Sequence, residues 1–426
     1  MERNDPRYQA YVEILKEELI PAMGCTEPIA LAYAAAKARE ALGVLPDSVQ
    51  LQVSGSIIKN VKSVIVPNTG HLKGMEAAVA AGIIAGSAEK ELEVISEVSE
   101  EKKSAIRDYL QTVPITIEHT EQGHVFDIVV TERCGQDYAR VRIADYHTNI
   151  CRIEKNGTVL YEVPLLDETV QEDARADRGL LNMQDIWDFA ETADLRDVAD
   201  LLERQIRYNN AIAEEGLLGD YGANIGRVLL TTYGNDVSNR AKAKAAAGSD
   251  ARMNGCELPV IINSGSGNQG ITCSVPLIEY AKELHSGKEK LYRALIISNL
   301  VAIHEKTGIG TLSAYCGAVS AGAGAGAGIV YLCGDGYQAA IHTVVNALAI
   351  VSGIVCDGAK ASCAAKIASS VDAALLGYNM YKCNQEFKGG DGIVMKDIET
   401  TIKGIGRLGK DGMRQTNEEI IRLMMS

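Results

Sequence analysis

From Gly308 to Gly334 the chain carries no charged residue, and the middle of this run, Gly317 to Gly328, consists almost wholly of glycine, alanine and serine. A second uncharged run follows from Tyr337 to Cys356. Length alone would permit two membrane spans. Composition argues against them: glycine, alanine and serine are weakly hydrophobic on insertion scales, and neither end carries a Lys/Arg cluster or an aromatic belt. The runs are therefore read as helices buried in a soluble core. Small residues on such helices let neighbouring backbones approach closely, which can bring several loops onto one site.

The remaining composition narrows the function classes. In 426 residues there are 42 Lys and Arg against 56 Asp and Glu, a formal charge of −14. A net negative surface repels phosphate backbones, and no basic stripe offsets it, so nucleic acid and anionic membranes are poor partners. The length suggests two or three domains. Ten cysteines are too dilute for a secreted disulfide scaffold, and residues Met1 to Ile20 are charged and amphipathic with no apolar signal core. A cytoplasmic protein with reduced thiols is expected. There, cysteines serve as small buried hydrophobes, metal ligands or catalytic groups.

Helical spacing from Tyr8 to Ile20 ends at Pro21. Thr26-Glu27-Pro28 reads as a helix start with Thr26 as N-cap, followed by Ile29 to Leu42 and closed by Gly43. Alternating β-formers occupy Ser48 to Pro67 (Leu51, Val53, Ile57, Val64, Val66), and a second apolar helix fits Gly74 to Gly86. From Val113 to Val163 short strands dominate, broken by Gly123, Gly135 and Asn156-Gly157. The expected fold class is α+β: a large, mainly helical catalytic domain with a smaller strand-rich α+β domain inserted in the N-terminal half. The expected division is 1–45, N-terminal helices carrying Cys25 and packing on the catalytic domain; 46–165, strand-rich; 166–223, an acidic helical connector; and 224–426, helical and catalytic.

Several cysteines fall at helix starts. Cys25, in Met23-Gly24-Cys25-Thr26-Glu27-Pro28, meets the positive end of a helix, which should lower its pKa and favour thiolate. Cys316 precedes the small-residue helix. Cys356 precedes a helix expected from Ala359 to Leu376, and Cys363 lies seven residues on, two turns along the same side. Thiols flanked by glycine, with backbone N–H groups available, suit an iron–sulfur cluster. No C-x-x-C is present, so packed core cysteines are the alternative, and that reading is preferred for Cys134, Cys151, Cys256, Cys273, Cys333 and Cys383. The loop Asn263 to Gly270 follows an apolar run and precedes a helix, so its N–H groups can form an anion nest; Asn68 to Gly74 is a weaker version. Lys306 and Tyr315 are chemically competent proton carriers near Cys316, and the histidines show no metal spacing.

Together, Gly24-Cys25-Thr26-Glu27-Pro28, Gly267-Asn268-Gln269-Gly270, Ile309 to Gly317 and Cys356 to Cys363 resemble the L-cysteine desulfidase family. The carboxyl-terminal half is also similar to the alpha chain of iron–sulfur L-serine dehydratases. The resemblance implies a [4Fe–4S] cluster with one open iron, held by Cys316, Cys356 and Cys363, and no pyridoxal phosphate. Cys25 is then either an alternative ligand or a group facing substrate. The implied reaction is elimination from L-cysteine to pyruvate, ammonia and sulfide, with the substrate carboxylate in the nest (Ser264, Gly265, Ser266, Gly267, Asn268, Gln269). Cys25 or Glu27 would act as base, with Lys306 and His71 in reserve. L-serine or another β-substituted amino acid is the alternative substrate, and a non-enzymatic cluster or thiol sensor is the alternative function. The expected partner is a small amino acid, with a homo-oligomer left open.

Overall fold

The structure is a computed structural model that describes residues 1–120, 124–165, 175–310 and 312–425. Helix α1 (Pro6–Glu18) starts where the Asp5 side chain caps the Arg7 N–H and Pro6 presets the first turn. A three-residue strand, β1 (Pro21–Met23), leads into α2 (Thr26–Leu42). Gly43 closes α2 in the left-handed conformation, as the sequence suggests. Its start differs from expectation. Cys25, not Thr26, is the N-cap, and Thr26 is the first helical residue.

Only the first part of the expected extended run is a strand. β2 covers Ser48–Ser54, after which the chain enters α3 (Gly55–Val61), so Ile57 is buried on a helix. A short apolar run reads equally as either element, and tertiary packing decides. Helices α4 (Gly74–Ala85) and α5 (Glu100–Thr112) complete a crossover to β3 (Ile115–Thr120), which pairs parallel to β2. β4 (Asp127–Cys134), β5 (Asp137–Ala144), β6 (Ile150–Lys155) and β7 (Thr158–Glu162) then run antiparallel, giving the order β3-β2-β4-β5-β6-β7. Register places Leu51 opposite Val130 and Val130 opposite Val141, a buried apolar row on the face that α2 covers. The strand break expected at Gly123 and the first residues of the acidic connector lie outside the described residues.

The carboxyl-terminal part is helical: α6 (Met183–Thr192), α7 (Ala199–Leu218), α8 (Ile225–Tyr233), α9 (Val237–Met253), then α10 (Gly267–Glu283), α11 (Lys288–Ile309), α12 (Gly317–Cys333), α13 (Tyr337–Val351), α14 (Cys363–Lys382), α15 (Ile398–Arg407) and α16 (Arg414–Met425). One short strand, β8 (Pro259–Ile261), pairs antiparallel with β1 and ties the amino-terminal segment to this part. The uncharged run forms α12, the axis of the bundle. Its glycines stand where neighbouring helices leave no room for a side chain. A Cβ would lie 2.8 Å from Ser370 of α14 at Gly322, 2.4 Å from the Ser298 carbonyl of α11 at Gly324, 2.8 Å from Thr343 of α13 at Gly326, and 2.5 Å from Leu277 of α10 at Gly328. Four helices thus surround α12, and their ends gather at its amino terminus. No helix among the described residues is long and apolar enough to cross a membrane.

The helix expected from Ala359 begins at Cys363 and runs to Lys382. Residues 357–362 form a loop that ends in a turn at 361–362, with Gly358 at φ +92°. Cys363 is therefore the first residue of α14, not a residue two turns along it. The fold is α+β, with the strand-rich region in the N-terminal half.

Candidate active site

Three loop-to-helix junctions supply the site. The first is the Cys25 turn. Cys25 is buried, and its Sγ donates to Glu27 Oε2 at 3.0 Å. Thr26 Oγ1 donates to the Gly265 carbonyl at 3.0 Å, joining this turn to the nest, and Asn60 Nδ2 donates to Glu27 Oε1 at 3.1 Å. His147, from the loop between β5 and β6, packs edge-on against Phe126 with ring centroids 4.8 Å apart. Its Nε2 lies 3.9 Å from Glu27 Oε1, an electrostatic contact too long for a hydrogen bond.

This geometry reverses the sequence expectation for Cys25. A helix start favours an anion by about 0.3–1 kcal/mol, less than one pKa unit, whereas full burial can move a group by several. Burial and the neighbouring Glu27 carboxylate push the Cys25 thiol well above its ordinary value, so it is a neutral hydrogen-bond donor and not a thiolate. Burial works against the charge on Glu27 as well. There the His147 imidazole, the Cys25 thiol and the helix-start backbone prevail and hold the carboxyl at about 2. Glu27 is an anion, and a weak base.

The second junction is the glycine-rich loop. Asn263 and Ser266 exchange backbone hydrogen bonds of 3.1 and 3.0 Å around Ser264 and Gly265, both at positive φ (48° and 75°). This is the conformation of a type I′ turn. α10 starts directly after it, at Gly267, and its N-cap Ser266 makes no side-chain cap bond. The first-turn N–H groups of Gly267, Asn268 and Gln269 lack the side-chain acceptor that commonly satisfies such donors. Gln269 reaches α12: a Cβ on Gly317 would lie 2.6 Å from Gln269 Cδ.

The third junction holds the remaining cysteines. Cys316 is the N-cap of α12, and its N–H donates to the Ile354 carbonyl at 3.2 Å. Cys356 N–H donates to the Ala314 carbonyl at 2.6 Å, and Tyr315 bridges antiparallel to Val355. These bonds set Cys316 and Cys356 side by side. Cys363 follows at the start of α14. Burial, then the charge on Cys356 and on Cys363, pushes Cys316 up to about 12, opposed by the Ala318 backbone N–H. Cys363 is raised by burial and by Cys356, opposed by a backbone hydrogen bond from Lys360. Thr311, within this motif, lies outside the described residues.

Two lysines face the thiols. Lys306 is half-buried with its charged end enclosed by protein, and it donates to the Gly310 carbonyl at 2.6 Å. Burial lowers it to about 8 against the pull of Cys356 and Cys316. Lys59 of α3 is buried and donates to Asn417 Oδ1 of α16 at 2.6 Å and to the Leu312 and Cys356 carbonyls at 3.4 Å each. Burial lowers it too, against the charges of Cys356, Glu27, Asp357 and Cys316. Lys59 therefore lies between the Cys25 turn and the three cysteines.

Among the described residues, no group of three or more His, Cys, Asp or Glu side chains is set to hold a metal ion. Cys316, Cys356 and Cys363 are neighbours by charge and by chain geometry, not a closed cage. As a donor set they still fit an iron–sulfur group. Sulfur donors sit at two helix starts and one loop, with backbone N–H groups that favour thiolate and two ammonium groups that balance charge. The other cysteines are buried (Cys151, Cys256, Cys273), half-buried (Cys134) or exposed (Cys333, Cys383), so the packed-core expectation does not hold for the last two. His71 is exposed beside Gly255, and Tyr315 is buried with its hydroxyl unpartnered. Lys59, Asn60 and His147 also line these junctions, and the sequence does not single them out.

Comparison with known proteins gives the family. The profile of the serine dehydratase alpha chain family matches residues 89–422. A UPF0597 protein of Desulfitobacterium hafniense is 61% identical over 100% of this chain and 99% of its own length. One from Lachnoclostridium phytofermentans is 52% identical over 98% and 100%, and one from Treponema denticola 46% identical over 100% of both. The chain belongs to the serine dehydratase alpha chain family, a family of lyases associated with iron–sulfur clusters.

Proposed function

We propose that the chain is a [4Fe–4S]-dependent, pyridoxal-phosphate-independent lyase that converts L-cysteine to pyruvate, ammonia and hydrogen sulfide by α,β-elimination. The observation that carries the reading is the meeting of Cys316, Cys356 and Cys363 with an anion nest, the buried Lys59 and the half-buried Lys306 at the amino terminus of α12. Cys316, Cys356 and Cys363 would hold the cluster. When bound, a cluster with one open iron supplies a Lewis acid for the departing β-substituent.

The chain's own residues do the rest. The first-turn N–H groups of Gly267, Asn268 and Gln269 bind the substrate carboxylate at the start of α10. Lys306 Nζ, with a pKa near working pH, takes the α-proton. Cys25 is a thiol and Glu27 a weak base, so their part is to orient: Glu27 collects the donors Cys25 and Asn60 and fixes the turn that carries them. Loss of the α-proton and sulfide leaves aminoacrylate, which water converts through the imine to pyruvate and ammonia. The helical part from residue 224 is the catalytic domain in this reading, and the strand-rich part lends His147. L-serine is the second reading, favoured by the family's own description.

Replacing Cys316, Cys356 and Cys363 singly by serine, and measuring bound iron apart from pyruvate release, tests the assignment. Loss of iron in each variant supports it; full iron retention in all of them refutes it. Rates on L-cysteine and L-serine decide the substrate, and iron bound without turnover of either amino acid would indicate a sensor.

A further inference from the structure

Arg252, in the last turn of α9, is 2% exposed. Buried guanidinium groups are normally paired with carboxylates, because an uncompensated buried charge is costly. Among the described residues Arg252 has neither an ion-pair partner nor a hydrogen-bond acceptor, and its Nε is fully buried and unpartnered. Its position is set by the nest: a Cβ on Gly267 would lie 2.3 Å from Arg252 Nε and 2.8 Å from Cζ. The guanidinium thus lies against the first residue of α10, and its charge acts on both Cys25 and Cys363.

Other orphaned atoms line the same loop. Asn268 Oδ1 and Gln269 Oε1 are buried acceptors without donors, and His147 Nε2, 3.9 Å from Glu27 Oε1, is buried without a hydrogen-bond partner. His147 Cε1 would lie 3.2 Å from a Cβ on Gly265. One unpaired cation and two unpaired amide oxygens on adjoining residues complement a molecule bearing one carboxylate and one ammonium.

We propose that Arg252 is the carboxylate anchor of the site and that Asn268 and Gln269 receive the ammonium, forming a clamp for the zwitterionic end of an α-amino acid. The clamp deepens the lyase reading and rests on it only for the identity of the site. It adds a charged side chain to the backbone nest and makes substrate choice depend on both ends of the zwitterion. A hydrogen-bonded charge pair of this kind contributes roughly a tenfold to hundredfold gain in affinity.

Equilibrium titration of the anaerobically purified protein tests it. The probes are L-alanine, which has both charged groups and no leaving group; ethylamine, which lacks the carboxylate; and propionate, which lacks the ammonium. The unaltered protein is expected to bind L-alanine more tightly than either. Arg252→Met should weaken L-alanine about tenfold or more, leave ethylamine unchanged and so close the gap between them. Arg252→Lys, which keeps the charge, should retain most of the affinity, and Gly267→Ala, which displaces the guanidinium, should weaken L-alanine as Arg252→Met does and serves should the neutral variant not fold. Unchanged L-alanine affinity in Arg252→Met, or in Gly267→Ala where the neutral variant does not fold, or equal binding of L-alanine and ethylamine by the unaltered protein, overturns the clamp. L-alanine discrimination that depends on Arg252, with no pyruvate from L-cysteine or L-serine, would sink the lyase reading and leave the clamp standing.

Discussion

Gly324→Ala probes the packing that assembles the site. Within a helix this change normally stabilises by about 1 kcal/mol, because alanine has less backbone freedom to lose. Here the new methyl would stand 2.4 Å from the Ser298 carbonyl oxygen, 3.2 Å from the Ala302 nitrogen and 3.3 Å from the Ala302 Cβ. A carbon–oxygen contact needs about 3.3 Å, so α11 and α12 must part by roughly 1 Å. Overpacking of that kind costs about 1–3 kcal/mol, and contact with backbone places it at the upper end. The net expectation is a loss of about 2 kcal/mol. Gly404→Ala on α15 is the control: its methyl would meet only Met395, at 3.6 Å, so the same substitution should gain up to about 1 kcal/mol. Urea unfolding followed by the fluorescence of Trp187, the single tryptophan, reads both. If Gly324→Ala is as stable as the unaltered protein, the close approach of α12 to α11 is wrong.

Asp250 is buried with one carboxylate oxygen unpartnered, and burial raises its pKa from 3.8 to about 6 against weak backbone hydrogen bonds from Gly226 and Ile225. A carboxyl raised on folding favours the folded state fully below pH 3.8, and that contribution is lost as pH rises through about 6. Asp250→Asn should therefore stabilise by up to about 3 kcal/mol at pH 8 and by little at pH 4, read from urea midpoints at the two values. If Lys306 takes the α-proton, turnover of L-cysteine rises through pH about 8, and Lys306→Met gives a low profile without that rise; an unchanged profile removes Lys306 from the role. Cys25→Ser keeps a donor to Glu27 and should retain most stability and bound iron. Cys25→Ala leaves a buried carboxylate oxygen short of a donor and should cost about 1–3 kcal/mol, checked by unfolding of the two variants side by side.

Elements with strong periodicity or clear end signals were legible in the sequence: α2 with its Gly43 stop, α4, the run of strands from Ile115 to Glu162, and α12 with Cys316 at its cap. The small-residue run also pointed correctly to close-packed helices. Where a short segment could satisfy two patterns, tertiary packing chose, as with Ile57 on α3 and the late start of α14 at Cys363. The ionisation of Cys25 was misread because a helix-end effect is local and visible in sequence, while burial and the contact with Glu27 are not. Lys59, His147 and Arg252 come from three separate parts of the chain, and only folding brings Lys59 to the Cys356 loop, His147 to Glu27 and Arg252 to Gly267.

The central claim is that the three junctions at the head of α12 form one elimination site for an amino acid. Anaerobic protein with bound iron, supplied with L-cysteine, should release pyruvate and sulfide in equal amounts, and both should vanish in Cys316→Ser. Neither product from L-cysteine nor pyruvate from L-serine, in protein that retains its iron, would contradict the account.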